Sequence, residues 1–305
     1  MARPALSAAR AVDVLNFLAA HPDESFTLSE LVRRVGVNVA SMHAVLAVLV
    51  QHEYVTRSEE KTYTLGPMLV PLGHAALVRH GVIDVARQTA ETLSAELGLT
   101  ALLVGAAGSE MVIIHEANRG TAPARTIGQR IRMLAPIGGV FFAWAESDAV
   151  DDWLASSPRS VRGAESDVRR WLASVRERGY AIGLETEARQ GLRRAVVDLS
   201  ESPGSRAARG RLRTHVTRLG DLATVVIEPD PSESYAVAHL AAPIRVHSTR
   251  LALYLIGFRR DLTAFEIEQI GQRLQTAAFL TVETATHRAS PVAAADGLDE
   301  PLSIW

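Results

Sequence analysis

Apolar positions in the first 65 residues recur first at helical and then at strand spacing. In VGVNVASMHAVLAVL, residues 35–49, Met42, Val45, Leu46 and Leu49 fall at i, i+3, i+4 and i+7 and predict one buried stripe. Val39, Ala40, His43, Ala44 and Ala47 are left facing outward. Upstream, SAARAVDVLNFLAA places Val12, Leu15, Phe17 and Leu18 at near-helical spacing behind Ser7, a residue suited to capping. HPDES reads as a turn. Thr27 and Glu30 then form a capping-box pattern ahead of the apolar stripe Leu28, Leu31, Val32 and Val35. Gly36 tolerates a positive φ, so two short helices joined by a tight glycine turn are expected, a helix-turn-helix. Behind it, YVTR (54–57) and KTYTL (61–65) alternate with period two around Ser58-Glu59-Glu60 and predict a hairpin in the position of a wing.

Gly66-Pro67 breaks the pattern, and residues 68–97 read as helix interrupted at Pro71 and Gly81. From Thr100 the texture changes to paired strands, TALLVG and MVIIHE, across the turn AAGSE. APIGGVFFAWAES is expected to open a helix running to about Ala155. SDVRRWLASVRERG predicts another helix before the strand YAIGLE. YAVAHLAAPIRV and TRLALYLIGF are long alternating strands, followed by a C-terminal helix from Ala264. The expected class is α+β: an antiparallel sheet with helices over one face. Residues 186–221 are arginine-rich and read as an insertion; the alanine- and proline-rich tail at 289–305 is expected to be disordered.

Composition narrows the function. A 48% hydrophobic and 22% charged chain is ordinary for a folded protein. It lacks the run of about 18 apolar residues that a membrane span needs. Asp13 within the first apolar stretch argues against a signal peptide, so a cytosolic location is expected. The absence of cysteine excludes disulfides, thiolate metal sites and cysteine nucleophiles. No metalloprotease, Walker or nucleophile-elbow motif occurs. Asp148, Asp151 and Asp152 are expected to face water, and His115-Glu116, adjacent on a strand, point to opposite faces. Neither enzyme chemistry nor a cofactor is expected.

The segments ARAVDVLNFLAAHPDESFTLSELVRRVGVNVASMHAVLAVLVQHEYVTRSEEKTYTLGPML, GGVFFAWA, RGYAIGLE and AHLAAPIRV resemble the IclR family of bacterial transcription regulators over residues 7 to about 285. The resemblance implies a winged helix-turn-helix DNA-binding domain at 1–66, a linker helix at 67–97 and a GAF-like effector-binding domain at 98–288. It further implies homo-oligomers, dimers or tetramers, that bind a palindromic duplex operator and respond to a small organic effector. This chain departs from the family pattern at the start of the recognition helix, where proline, lysine, serine and threonine are usual and Asn38, Val39, Ala40 and Ser41 stand. Ala44 replaces the usual arginine after a retained His43. MLAPIG replaces the usual histidine-bearing segment, and His239 the usual cysteine of a late strand.

On this reading Thr27, Arg33, Arg34, Arg57 and Lys61 flank the reading helix and serve phosphates. Asn38, Ser41 and His43 offer polar contacts, and Val39 and Ala44 suit a thymine methyl. Met133, Ile137, Gly138, Gly139, Phe141, Phe142, Tyr180, Glu185, His239 and Ala241 are the candidate effector contacts, with backbone N–H groups at Gly138 suited to an anion. Ordinary packing is the alternative for each aromatic and for His239. Charge supplies the main objection: through residue 66 there are six basic against seven acidic side chains. A second reading is therefore a ligand sensor acting through protein contacts, and a third is a hydrolase or isomerase on a GAF-like scaffold.

Overall fold

The computed structural model describes residues 5–118, 127–157, 165–186, 190–191, 194–195, 198, 201–202, 204–218, 228–246 and 249–289. The N-terminal unit runs α1 (Leu6–Ala19), β1 (Phe26–Thr27), α2 (Leu28–Leu31), a wide helical turn at Val32–Gly36, α3 (Val39–Gln51), β2 (Val55–Arg57) and β3 (Thr62–Leu65). The expected Ser7 cap is not used: α1 starts at Leu6 behind Ala5, with no side-chain cap. The capping box is present, with Thr27 N–H donating to Glu30 Oε2 at 2.8 Å and Glu30 N–H donating to Thr27 Oγ1 at 3.3 Å. The Thr27 N–H and, after it, the Thr27 hydroxyl donate to Glu30 Oε2 and hold its carboxyl below the usual glutamate range. The strands order β1-β3-β2, so Phe26 and Thr27 add a third strand to the hairpin. Val14, Phe17, Leu18, Phe26, Leu31, Met42, Val45, Leu46, Leu49, Val55 and Tyr63 form one core, which contains the whole stripe expected of α3.

The connecting residues form α4 (Leu69–Arg79) and α5 (Gly81–Leu97). Pro71 does not interrupt α4, because it lies in the first turn, where an N–H has no intrahelical partner to lose. The break is at His80, which leaves helical geometry with ψ near 57°.

The second unit is built on β4 (Thr100–Ala107), β5 (Glu110–Ala117), β6 (Arg130–Arg132), β7 (Ala181–Leu184), β9 (Val237–Val246) and β10 (Thr249–Ile256). They form an antiparallel sheet in the order β6-β5-β4-β10-β9-β7, while β8 (Ser234–Tyr235) pairs with β11 (Leu262–Thr263). Helices cover both faces, not the single face expected. On one face α5 and α9 (Ala264–Ala289) bury Ala86, Leu93, Leu240, Leu253 and Leu274. On the other, α6 (Ser147–Ala155) and α7 (Glu165–Arg178) bring Trp153, Leu154, Trp171 and Val175 against Leu102, Val104 and Ala252. Strands buried on both sides explain why the pattern near 237–246 reads as almost continuously apolar. Between β7 and β8 lies α8 (Arg206–Arg218). No single helix among the described residues is long and apolar enough to cross a membrane.

Candidate nucleic-acid interface and ligand pocket

The outward face of α3 starts from its cap. Ser41 N–H donates to Asn38 Oδ1 at 2.9 Å, which fixes the first turn and leaves the Asn38 amide group as its donor. Burying Met42, Val45, Leu46 and Leu49 turns Val39, Ala40, His43, Ala44, Ala47 and Val48 to solvent, with Val39 59% and Val48 56% exposed. No acidic, lysine or arginine side chain occurs anywhere in α3. The cations stand around it. Arg10 of α1, which spacing alone does not single out, donates to Ser41 Oγ at 2.8 Å. Arg33 is exposed on the wide turn before α3. Arg57 of β2 lies over the Tyr63 ring at 5.8 Å. Lys61 occupies the wing tip with φ 61°, a left-handed conformation that favours glycine and costs a lysine about 1–2 kcal/mol.

Two residues expected to serve phosphates have other partners. The Thr27 hydroxyl donates to Glu30 Oε2 at 2.8 Å within the cap. Arg34 packs over Phe26 at 5.5 Å and donates to the Glu201 carbonyl at 2.8 Å. The Thr27 cap is readable from local spacing, whereas the Arg34 commitment is not, since Arg34 and Glu201 are 167 positions apart.

In the second unit, the helix expected from Gly138 to Ala155 is two pieces: a single tight turn at Gly139–Phe141 and then α6. Three of the N–H groups that would face an anion there are spent within the turn. Gly139 N–H donates to Pro136 O at 3.1 Å, and the N–H groups of Phe141 and Phe142 donate back to Gly138 and Gly139 carbonyls at 2.9 Å. The two glycines serve packing instead. Gly138 has φ 82°, and a Cβ there would lie 2.7 Å from Met133 Cγ. A Cβ on Gly139 would lie 2.3 Å from the Trp171 ring.

Met133, Phe141, Phe142 and Ala241 do come together, with Leu102, Val104 and Tyr254, on one sheet face. Ile137 is buried beside them in the chain, and Phe142 stacks on Trp153 with ring centroids 4.4 Å apart. His239 is half-buried with its ring 5.3 Å from that of Tyr254, which places it on the same face as Ala241. Val237, which strict alternation would put on the face of His239, belongs to the opposite core. The β7–β9 pairing slips between Gly183 and Leu184, and that irregularity breaks the alternation. Tyr180 also packs on the opposite face, where a Cβ on Gly271 would lie 2.2 Å from its ring, and burial pushes its hydroxyl pKa up. Glu185 follows β7 directly, its N–H donating to Ala236 O at 2.7 Å. Tyr180 therefore stands apart from the aromatic cluster. The indole N–H groups of Trp153 and Trp171 are buried without an acceptor among the described residues.

A separate cleft of about 520 Å³ lies at the far end of β9 and β10, lined by Phe141, Trp144, Pro243, Arg245 and Arg250 among others. Arg250 donates to Phe141 O at 2.9 Å and lies 5.1 Å from the Phe142 ring centre; burial lowers its pKa. These contacts join residues 109 positions apart, and periodicity gives no sign of them.

Residues 7–59 match the IclR helix-turn-helix domain. The chain is 23% identical over 192 residues to the Probable HTH-type transcriptional regulator ArcR of Halobacterium salinarum, covering 59% of this chain and 72% of that protein. Its fold is similar to that of an IclR transcriptional regulator from Alicyclobacillus acidocaldarius, with a TM-score of 0.64, 22% identity, and coverage of 93% of this chain and 100% of the other. It is similar also to an IclR homologue complexed with 4-hydroxybenzoate from Microbacterium hydrocarbonoxydans, at TM-score 0.60 and 17% identity, with the same coverage.

Proposed function

We propose that this chain, a member of the IclR family of transcriptional regulators, binds a palindromic operator as a cytosolic homo-oligomer through α3 and the wing, under control of a small organic effector held by its second domain. The observation that carries the reading is the composition of one surface. An exposed helix face without charge, suited to thymine methyls and base edges, is flanked by Arg10, Arg33, Arg57 and Lys61 from four other segments. Met68, Val70 and Leu72 are 42%, 73% and 52% exposed around α4, and Leu6 and Val12 of α1 are 66% and 54% exposed. Apolar side chains so exposed suit a partner copy. A two-fold pair would then read half-sites about one helical turn apart, or a multiple of it.

Arg57→Ala tests the flanking cations. It is expected to weaken binding to operator and random duplex alike and to flatten the dependence of log affinity on log salt by about 0.9, the share of one neutralised phosphate. Fluorescence anisotropy over a salt series measures it. An unchanged slope would remove Arg57 from the interface.

A specific observation favours the second reading, a sensor without DNA binding: acidic side chains outnumber basic ones through residue 66. Distribution favours the first reading, because the cations border α3 and no carboxylate stands on it.

For the effector, the supporting features are the buried indole N–H groups of Trp153 and Trp171 and the His239–Tyr254 pair. Buried donors without acceptors are costly, by about 1–3 kcal/mol each, and an acceptor on a ligand would satisfy them. An aromatic carboxylate, as seen in the Microbacterium homologue, is the first probe to titrate. His239→Ala is expected to keep the fold and basal operator affinity and to abolish most of the effector-induced change in that affinity, since coupling cannot exceed differential binding to the two states. An unchanged ligand response would make His239 a packing residue only.

A further inference from the structure

The cleft at the far end of β9 and β10 is built around two arginines that the proposed function leaves unused. Arg245 of β9 and Arg250 of β10 stand directly opposite each other in the strand register, one step before the last pair, Val246–Thr249. Cross-strand partners project from the same face of a sheet, and like charges so placed destabilise the pairing. Among the described residues, no carboxylate lies within 4.0 Å of either guanidinium to offset that repulsion. Glu146, exposed just before α6, borders the cleft and forms an ion pair with neither.

Aromatic rings hold the two cations instead. The Arg245 guanidinium lies 5.2 Å from the centre of the Trp144 ring, and that of Arg250 lies 5.8 and 5.1 Å from the ring centres of Phe141 and Phe142. A guanidinium carries five N–H donors. Arg250 gives one to Phe141 O at 2.9 Å, and Arg245 gives none to a described residue. Two planar forks, fixed by stacking and still rich in donors, suit an oxyanion bound through paired hydrogen bonds. The cleft holds about 520 Å³, and Trp144, Ala145 and Pro243 give it an apolar wall, as in sites for small organic ligands. Position separates it from the His239–Tyr254 pair. His239 and Arg245 are six positions apart on β9, roughly 20 Å along an extended strand, and a single-ring ligand cannot span that distance.

We propose that this cleft is a second ligand site of the domain, taking a small organic dianion, a phosphate ester or a dicarboxylate, whose oxygens bridge Arg245 and Arg250 while its apolar body lies on Trp144 and Pro243. The ligand relieves the repulsion left in the strand pairing. The site stands apart from the effector reading above, and the test keeps the two distinguishable.

The experiment is isothermal titration calorimetry of the full chain with phenyl phosphate, phthalate and inorganic phosphate, alongside thermal melts of each variant without ligand. Phenyl phosphate or phthalate is expected to bind saturably, and the tighter of the two identifies the head group. Arg245→Gln is expected to weaken that binding at least about tenfold, the worth of a hydrogen bond to a charged group. Its melting temperature is expected to stay unchanged or to rise, because the substitution removes one of two opposed like charges. Glu146→Gln is expected to tighten binding by removing a carboxylate from the rim. His239→Ala is expected to leave it unchanged. No saturable binding of either organic dianion up to about 10 mM overturns the proposal. Unchanged affinity in Arg245→Gln overturns it too, and a lowered melting temperature beside that result would make the arginine a packing residue. Inorganic phosphate binding as tightly as phenyl phosphate overturns the role of the aromatic wall. Parallel loss in His239→Ala overturns a separate site, whereas binding that survives there while the effector response is intact in His239→Ala fails only the effector reading.

Discussion

Val39→Asp is expected to abolish specific DNA binding while leaving the winged unit folded, with a melting temperature unchanged or slightly raised. The opposite signs follow from one position. Val39 is the first residue of α3 and is 59% exposed, so its side chain contributes little to the core of Val14, Leu31, Met42 and Leu46. A carboxylate in the first turn of a helix is favourable by about 0.3–1 kcal/mol, because it faces the unpaired N–H groups. On the proposed DNA-reading face the same carboxylate would meet phosphate and replace a methyl contact with a like charge. A specific base contact is worth about 1–3 kcal/mol, so affinity should fall at least about tenfold. Thermal denaturation and anisotropy on one preparation measure both. Wild-type affinity in a folded variant would mean that the outward face of α3 does not read DNA.

Gly139→Ala is expected to destabilise the second unit and leave the winged core intact. One methyl there would lie 2.3 Å from two ring carbons of Trp171, a side chain only 2% exposed, with Trp153 3.5 Å away on another side. Neither indole can move without disturbing the stack of Phe142 on Trp153 or the cluster containing Val168, Leu172 and Val175. Overpacking of this kind typically costs about 1–3 kcal/mol. The readout is tryptophan fluorescence during urea denaturation, with an earlier midpoint expected. An unchanged midpoint would show that the turn relaxes freely, and the close packing assigned to Gly139 would be wrong.

What the sequence makes legible divides by the range of the interaction. Stripes and caps are local, so Met42, Val45, Leu46 and Leu49 are read as buried and Thr27–Glu30 as a capping box from spacing alone. The short strand β1 escapes, because two residues carry no period. Gly138 and Gly139 suggest an opening for an anion, yet their reason for being glycine is Met133 and Trp171, contacts that periodicity cannot supply. Alternation places Val237 with His239 until a slip in the β7–β9 register separates them. Tyr180 is aromatic and near the right strand, but only the position of Gly271 in α9 shows which face it covers. On the DNA side the exposed face of α3 is legible, whereas Arg10 on Ser41 and Arg34 on Glu201 depend on tertiary neighbours.

The central claim is that the uncharged face of α3 reads bases while cations outside it hold the duplex. Selection of binding sites from a randomised duplex library, run in parallel with the full chain and with His43→Ala, tests it most directly. The account predicts that the wild-type chain enriches a palindrome with half-sites about one helical turn apart, or a multiple of it. It also predicts that His43→Ala still binds DNA but with relaxed preference within each half-site. Enrichment of no sequence by the wild-type chain, or an identical preferred site with and without His43, would contradict it.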